Sequence, residues 1–248
     1  MNRNKIQFLA LLILGLLSCN DHNSKDNFID KANQPNTENV DTYYNTINLK
    51  VNNPTVIDSS EWILYPLTLE EVEETEKGFK SISYGRQNAF WNIVFFNSET
   101  KQTQLLSDSL KMLINSIHTS NNNAVNSANR AEIIKKTIFY SITVKDFNQD
   151  GELNGEDPKY LYVSDLSGKE FKQISPDNFD LIHWQTAAAN KILIQTHNDL
   201  NKNKKFDIDD EIVSFIYDLD NKKLEPIFSN EFILKTKKIF KNHWLKKK

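Results

Sequence analysis

Beyond about Asn52 the chain breaks into short apolar runs with the patterns of β-strands. Ile138, Tyr140, Ile142 and Val144 are separated by less apolar neighbours, as a strand with one covered face requires. Tyr160–Val163 and Val213–Tyr217 are apolar on both faces, which suits a sheet packed between neighbours. Short polar runs punctuate these strands: "NSETK" at Asn97–Lys101, "DLSGK" at Asp165–Lys169 and "DLDNK" at Asp218–Lys222. In them Asp or Asn caps a hairpin turn, and Gly168 and Asn221 suit a positive φ. "LKMLINSI" and "DLIHWQT" supply a further strand between one unit and the next.

Sliding the chain on itself reveals a repeat. With Asp146 placed over Asp199, Asn148 falls on Asn201, Asp157 on Asp210, Asp165 on Asp218 and Leu166 on Leu219, without a gap. A weaker copy lies upstream in "EWILYPLTL" and "FWNIVFFNSETKQTQLLS". Between those two segments stands "EEVEETEKGFKSISYGRQNA", expected to be a short helix, since Glu70–Lys77 lacks helix breakers, or a mobile acidic loop. Each copy predicts strand, long loop, strand, tight turn, strand. The units run over about 61–120, 137–190 and 191–240, within a single β-repeat domain at 52–248.

"YLYVSDLSGKEFKQIS", followed by "LIHWQ" and "NKILIQT", resembles a blade of the TolB-like β-propellers of the WD-repeat type. Trp184 matches the tryptophan that precedes the next strand in that family. The resemblance covers roughly Trp62 to Ser229 and implies four-stranded, blade-like meanders. "TAAAN" replaces the family's Ser-Pro-Asp-Gly turn, and about three units are fewer than the roughly 4–8 blades of a closed ring. The expected fold is therefore all-β, as a partial or open propeller-like stack of antiparallel meanders, with a compact two-sheet sandwich as the alternative.

The long loops carry the candidate chemistry. "DFNQDGELNGED" places oxygen-bearing residues at the first, third, fifth, seventh, ninth and twelfth positions of an EF-hand-type calcium loop: Asp146, Asn148, Asp150, Glu152 by its carbonyl, Asn154 and Asp157. Gly151 takes the sixth, sharply turned position, and the final Asp resembles the loops of dockerins. Flanking strands rather than helices make this a loop-pinning Ca²⁺ site, not a helix-swinging sensor. An Asx-turn loop without metal is the plainer alternative. The second loop offers Asp199, Asn201, Asn203, Lys205 by its carbonyl, Asp207 and Asp210. Its sixth residue is Lys204, and Lys202 and Lys205 add further positive charge. It is expected to be a weaker Ca²⁺ site, or a loop that keeps the shape alone.

The first residues predict an address. Arg3 and Lys5 precede an apolar run, Ile6–Leu17, which at about 1.5 Å per residue is too short for a bilayer core of roughly 30 Å. Leu16-Leu17-Ser18-Cys19 resembles the lipobox of bacterial lipoproteins, which implies a signal peptide at 1–18 and a lipid on Cys19. The alternative is an ordinary secretory signal with a chance cysteine. Cys19 is the only cysteine, so no internal disulfide forms. Residues 19–51, rich in Asn, Asp, Ser and Thr, form the expected flexible tether.

A net charge of −3 and a pI near 6.0 argue against a nucleic-acid partner. The basic stretch "KTKKIFKNHWLKKK" suits either a solvated, fraying end or contact with anionic headgroups. No hydrolase or phosphate-binding motif appears, and the histidines show no metal-ligand spacing. Trp62, Trp91, Trp184 and Phe215 are expected in the core. Together these features predict a lipid-anchored, non-enzymatic protein of the bacterial cell envelope, on the periplasmic side or the cell surface, that binds a protein or polysaccharide. The alternatives are an accessory subunit of a peptidase or other envelope hydrolase, and a small hydrolase with scattered carboxylates.

Overall fold

The computed structural model describes residues 49–68, 71–75, 78–82, 89–119, 132–187 and 190–245, with the backbone alone for 71–75 and 78–82. The predicted signal peptide, Cys19 and nearly all of the tether lie outside these residues. The described strands are Thr55–Val56 (β1), Trp62–Thr68 (β2), Glu71–Thr75 (β3), Gly78–Ile82 (β4), Phe90–Asn97 (β5), Thr103–Leu105 (β6) and Leu113–His118 (β7). They continue with Thr137–Thr143 (β8), Lys159–Asp165 (β9), Lys172–Gln173 (β10), Phe179–Thr186 (β11), Lys191–Asn198 (β12), Glu211–Asp218 (β13) and Lys223–Pro226 (β14). Two helices accompany them, Glu132–Lys135 (α1) and Asn230–His243 (α2).

The fold is mostly β and its sheets are antiparallel and open. β11-β12-β13-β14 is a meander of four successive strands, and β7-β8-β9-β10 is another. β1-β2-β5-β6 makes a third group, joined to the second where Phe90 pairs with Ile114. Within the acidic insert, the described residues 71–75 and 78–82 are strands rather than a helix or an irregular loop. They pair as the β3–β4 hairpin, with Glu73 directly opposite Lys80 and the β-branched Val72 and Thr75 at strand positions.

Two cores separate the three groups. Leu64, Ile93 and Phe95 of the first group pack with Ile138, Tyr140, Ile142, Tyr160 and Tyr162 of the second. The opposite face of the second, Phe139, Leu161 and Val163, packs with Ile192, Ile194 and Tyr217 of the third. The middle meander is thus covered on both faces, as the apolar run Tyr160–Val163 demands. Val213–Ile216 is only half-buried, because the third group has a packed neighbour on one face. Trp184 sits in the second core, stacked on Phe139 at 4.6 Å and edge-on to His118 at 5.3 Å. Each large apolar side chain so covered contributes roughly 1.5–3 kcal/mol.

Strand register refines the repeat. Tyr140 pairs with Tyr162 and Ile142 with Tyr160, whereas Ile194 pairs with Phe215 and Thr196 with Val213. β9 and β13 therefore match at the offset of the gapless alignment, but β8 and β12 match one residue further on. A one-residue slip moves every side chain to the other face. Burial chooses the frame: Ile138, Tyr140 and Ile142 are fully buried, and so are Ile192, Ile194 and Thr196. The second copy therefore lacks one residue between its strand and Asp199.

Candidate metal centre

Both long loops join the two central strands of a meander, the first between β8 and β9 and the second between β12 and β13. They fold alike. In the first, Asp146 accepts from the backbone N–H groups of Asp150 (3.1 Å) and Gly151 (2.9 Å). In the second, Asp199 accepts from Asn203 (3.1 Å) and Lys204 (3.0 Å). Asn148 takes the N–H of Asp150 at 3.0 Å, and Asn201 that of Asn203 at 2.9 Å. Asp150 takes the N–H of Glu152, and Asn203 that of Lys205, both at 2.8 Å. Asn154 and Asp207 hold the N–H groups of Glu156 and Asp209 in the same way.

The twelfth residues close each loop from beneath. Asp157 is 2% exposed, and its two oxygens accept from Phe147 (2.8 Å) and Asn154 (3.0 Å). Asp210 is 7% exposed and accepts from Leu200 (3.2 Å) and Asp207 (3.0 Å). A buried carboxylate without such donors would be costly; two backbone N–H groups satisfy each one here. Backbone conformation repeats as well. Gln149 and Gly151 have φ of 66° and 88°, and Lys202 and Lys204 have 60° and 62°. Lys204 thus holds the left-handed conformation that its place in the repeat demands, at a cost of about 1 kcal/mol relative to glycine.

Two of the predicted side chains of the first loop meet Asp150. Asn148 donates to its Oδ2 at 2.8 Å and Asn154 at 3.5 Å. The backbone N–H of Glu152, then the Asn148 amide, hold the Asp150 carboxyl below the usual carboxylate range. Among the described residues, no three His, Cys, Asp or Glu side chains form a metal cluster by themselves. Any ion here would therefore rely on Asn oxygens and a backbone carbonyl beside the carboxylates. An all-oxygen set of that kind has the chemistry of a calcium site, and on that ground the residues fit.

The two loops also touch one another, which no local pattern in the chain foretells. Phe147 and Phe206 meet with ring centroids 5.0 Å apart, and Lys204 Nζ donates to Gln149 Oε1 at 2.6 Å. The lysine at the sixth position thus sends its charge across to the first loop. Leu153, the first loop's counterpart of Phe206, is buried. Asp180, on β11, accepts from the N–H of Lys159 at 2.9 Å and so ties the start of β9 to the third meander. Burial raises the Asp180 pKa, partly offset by that hydrogen bond.

The turns depart from expectation in one detail. Gly168 has φ of 85°, but in the second turn Lys222, not Asn221, is left-handed, as is Lys101 in the first group. Asp218 accepts from the N–H groups of Asp220 and Asn221, and its hydrogen bond with Lys191 holds its pKa far down.

No family model matches the chain, and no curated protein does. The fold and the paired loops therefore carry the functional argument alone.

Proposed function

We propose that the chain is an exported lipoprotein, held at a bacterial membrane through Cys19, whose calcium-stabilised β-repeats bind a protein or polysaccharide partner without catalysing a reaction. The observation that carries this reading is the duplicated loop. Two segments of different sequence hold the same positions with the same hydrogen bonds, and both carry oxygen-bearing residues at the sequence positions of an EF-hand-type loop. The head-to-tail packing of three meanders supports the blade-like description, because one face of each group meets the opposite face of the next. The ion would be held by Asp146, Asn148, Asp150, Asn154 and Asp157 with the Glu152 carbonyl, and in the second loop by the corresponding residues. It would neutralise carboxylates and fix the loops, leaving the surrounding surface to the partner.

The test is calcium titration into Asn20–Lys248 by calorimetry, with thermal melts alongside. At ten times the dissociation constant, each occupied site stabilises the fold by about 1.4 kcal/mol. That corresponds to roughly 3–6 °C in melting temperature for a domain of this size. Asp146→Ala removes the tighter phase and Asp199→Ala the weaker one. The absence of both heat and melting shift at millimolar calcium refutes the metal assignment.

A further inference from the structure

The C-terminal helix is built well and packed hardly at all. Ser229 caps it, its Oγ accepting from the N–H of Phe232 at 3.2 Å. No helix residue is buried. An ion pair between Lys237 and Glu211 at 2.9 Å and a stack of Phe232 on Phe228 at 5.5 Å link it to the preceding chain. Phe232, Thr236, Ile239, Phe240, His243 and Trp244 recur at helical spacing on one face. Its large members stay open to solvent, Trp244 at 75%. Lys235 and Lys237 border this stripe, and Lys238 and Lys241 lie behind it with Leu234. From Asn230 onward seven lysines face the single Glu231, in a chain whose net charge is −3.

We propose that α2 is a membrane-surface helix. It lies in the headgroup layer of an anionic phospholipid bilayer, with Phe232, Ile239, Phe240 and Trp244 turned into the acyl boundary, Lys235 and Lys237 at the phosphates, and the lysines behind the stripe still within reach of the surface potential. Three observations select this occupant. At about 1.5 Å per residue the helix is roughly 21 Å long, and no described helix is long and apolar enough to cross a membrane. A bulky apolar stripe ending in Trp and bordered by lysine is the composition of helices that lie in the interface. The concentrated positive charge complements anionic lipid, whereas the rest of the chain is acidic. The proposal does not depend on the lipid at Cys19 or on calcium; it adds a second contact that would lay the C-terminal end of the domain against the bilayer.

The experiment uses Asn20–Lys248, which retains the compact unit Thr46–Lys248 whole and carries neither leader nor acyl chain. It is mixed with vesicles of phosphatidylcholine containing brominated lipid, with or without phosphatidylglycerol. The Trp244 signal is isolated by difference from Trp244→Phe. Quenching of Trp244 on the anionic vesicles, weak on the neutral ones, is the expected result. Each lysine near an anionic surface strengthens partitioning about fivefold, so Lys235→Gln, Lys238→Gln and Lys241→Gln together weaken it about a hundredfold. These exposed substitutions leave the fold's circular dichroism unchanged. Trp244 unquenched on both vesicle types overturns the proposal, as does binding indifferent to the three lysines. Concentration-dependent burial of Trp244 without vesicles overturns it too, by assigning the stripe to a second copy.

Discussion

Gly168→Ala probes the contact between the first two groups of strands. Gly168 lies in the turn between β9 and β10 with φ of 85°, and a Cβ built on it falls 2.5 Å from Phe95 Cε2 and 2.7 Å from Cδ2. Phe95 cannot simply swing aside, since it is fully buried in the first core. Two costs follow. The left-handed conformation disfavours a Cβ by about 1–2 kcal/mol, and forcing an atom into a packed core adds about 1–3 kcal/mol. The expected loss is about 2–5 kcal/mol. Gly151→Ala is the internal control: its φ is 88°, but nothing lies within 4 Å of the new Cβ, so only the first cost applies. Urea unfolding of both variants in chelator separates the two, read as midpoint shifts at constant slope. If Gly168→Ala loses no more stability than Gly151→Ala, the Phe95 ring does not lie against that turn and the packing of the first core described above is wrong.

Other substitutions test the loops and their link to the sheets. Lys204→Gly relieves the left-handed lysine at the loss of only an exposed hydrogen bond to Gln149, and should raise stability by about 1 kcal/mol in chelator. It should also tighten calcium binding at the second loop in calorimetry. Burial raises the Asp180 pKa above its unfolded value, so its favourable contribution is present below the ordinary carboxylate range and disappears as pH rises through the folded pKa. Asp180→Asn, which keeps an oxygen for the Lys159 N–H, should therefore melt higher than the parent at pH 7 and lose that advantage near pH 3. An advantage that grows on acidification would contradict the assignment. His118 behaves in the opposite sense: burial lowers its pKa, so its contribution is present above its unfolded pKa and fades as pH falls through the folded value. Melting temperature should decline on that account below about pH 6.5, and His118→Gln should flatten the decline.

Much of the architecture was legible because it was written in alternation. Ile138, Tyr140 and Ile142 announced a covered face, and the Asp-rich spacings announced two related loops. The slip between β8 and β12 was not legible, since the aspartates align without a gap and only burial of Ile192 and Ile194 shows which frame the strand occupies. The β3–β4 hairpin was obscured by glutamates, which suit a helix as well as an exposed strand. The basic stretch near the C-terminus hid a helix because its lysines dominate its composition; Ser229 followed by Phe232, Thr236 and Phe240 was the signal that could have revealed it. The contact between the two loops joins Phe147 to Phe206, fifty-nine residues further along the chain, and no local pattern encodes it.

In each loop the bends are set by backbone amides held on Asp or Asn side chains, and either residue type accepts such an amide equally well. Architecture and ion chemistry are thereby uncoupled. One copy can exchange a glycine for a lysine, or trade Asn for Asp between its fifth and ninth places, while the sheet beneath keeps its geometry. Duplication of such a unit gives evolution two frames of one shape, free to drift toward different appetites for cations.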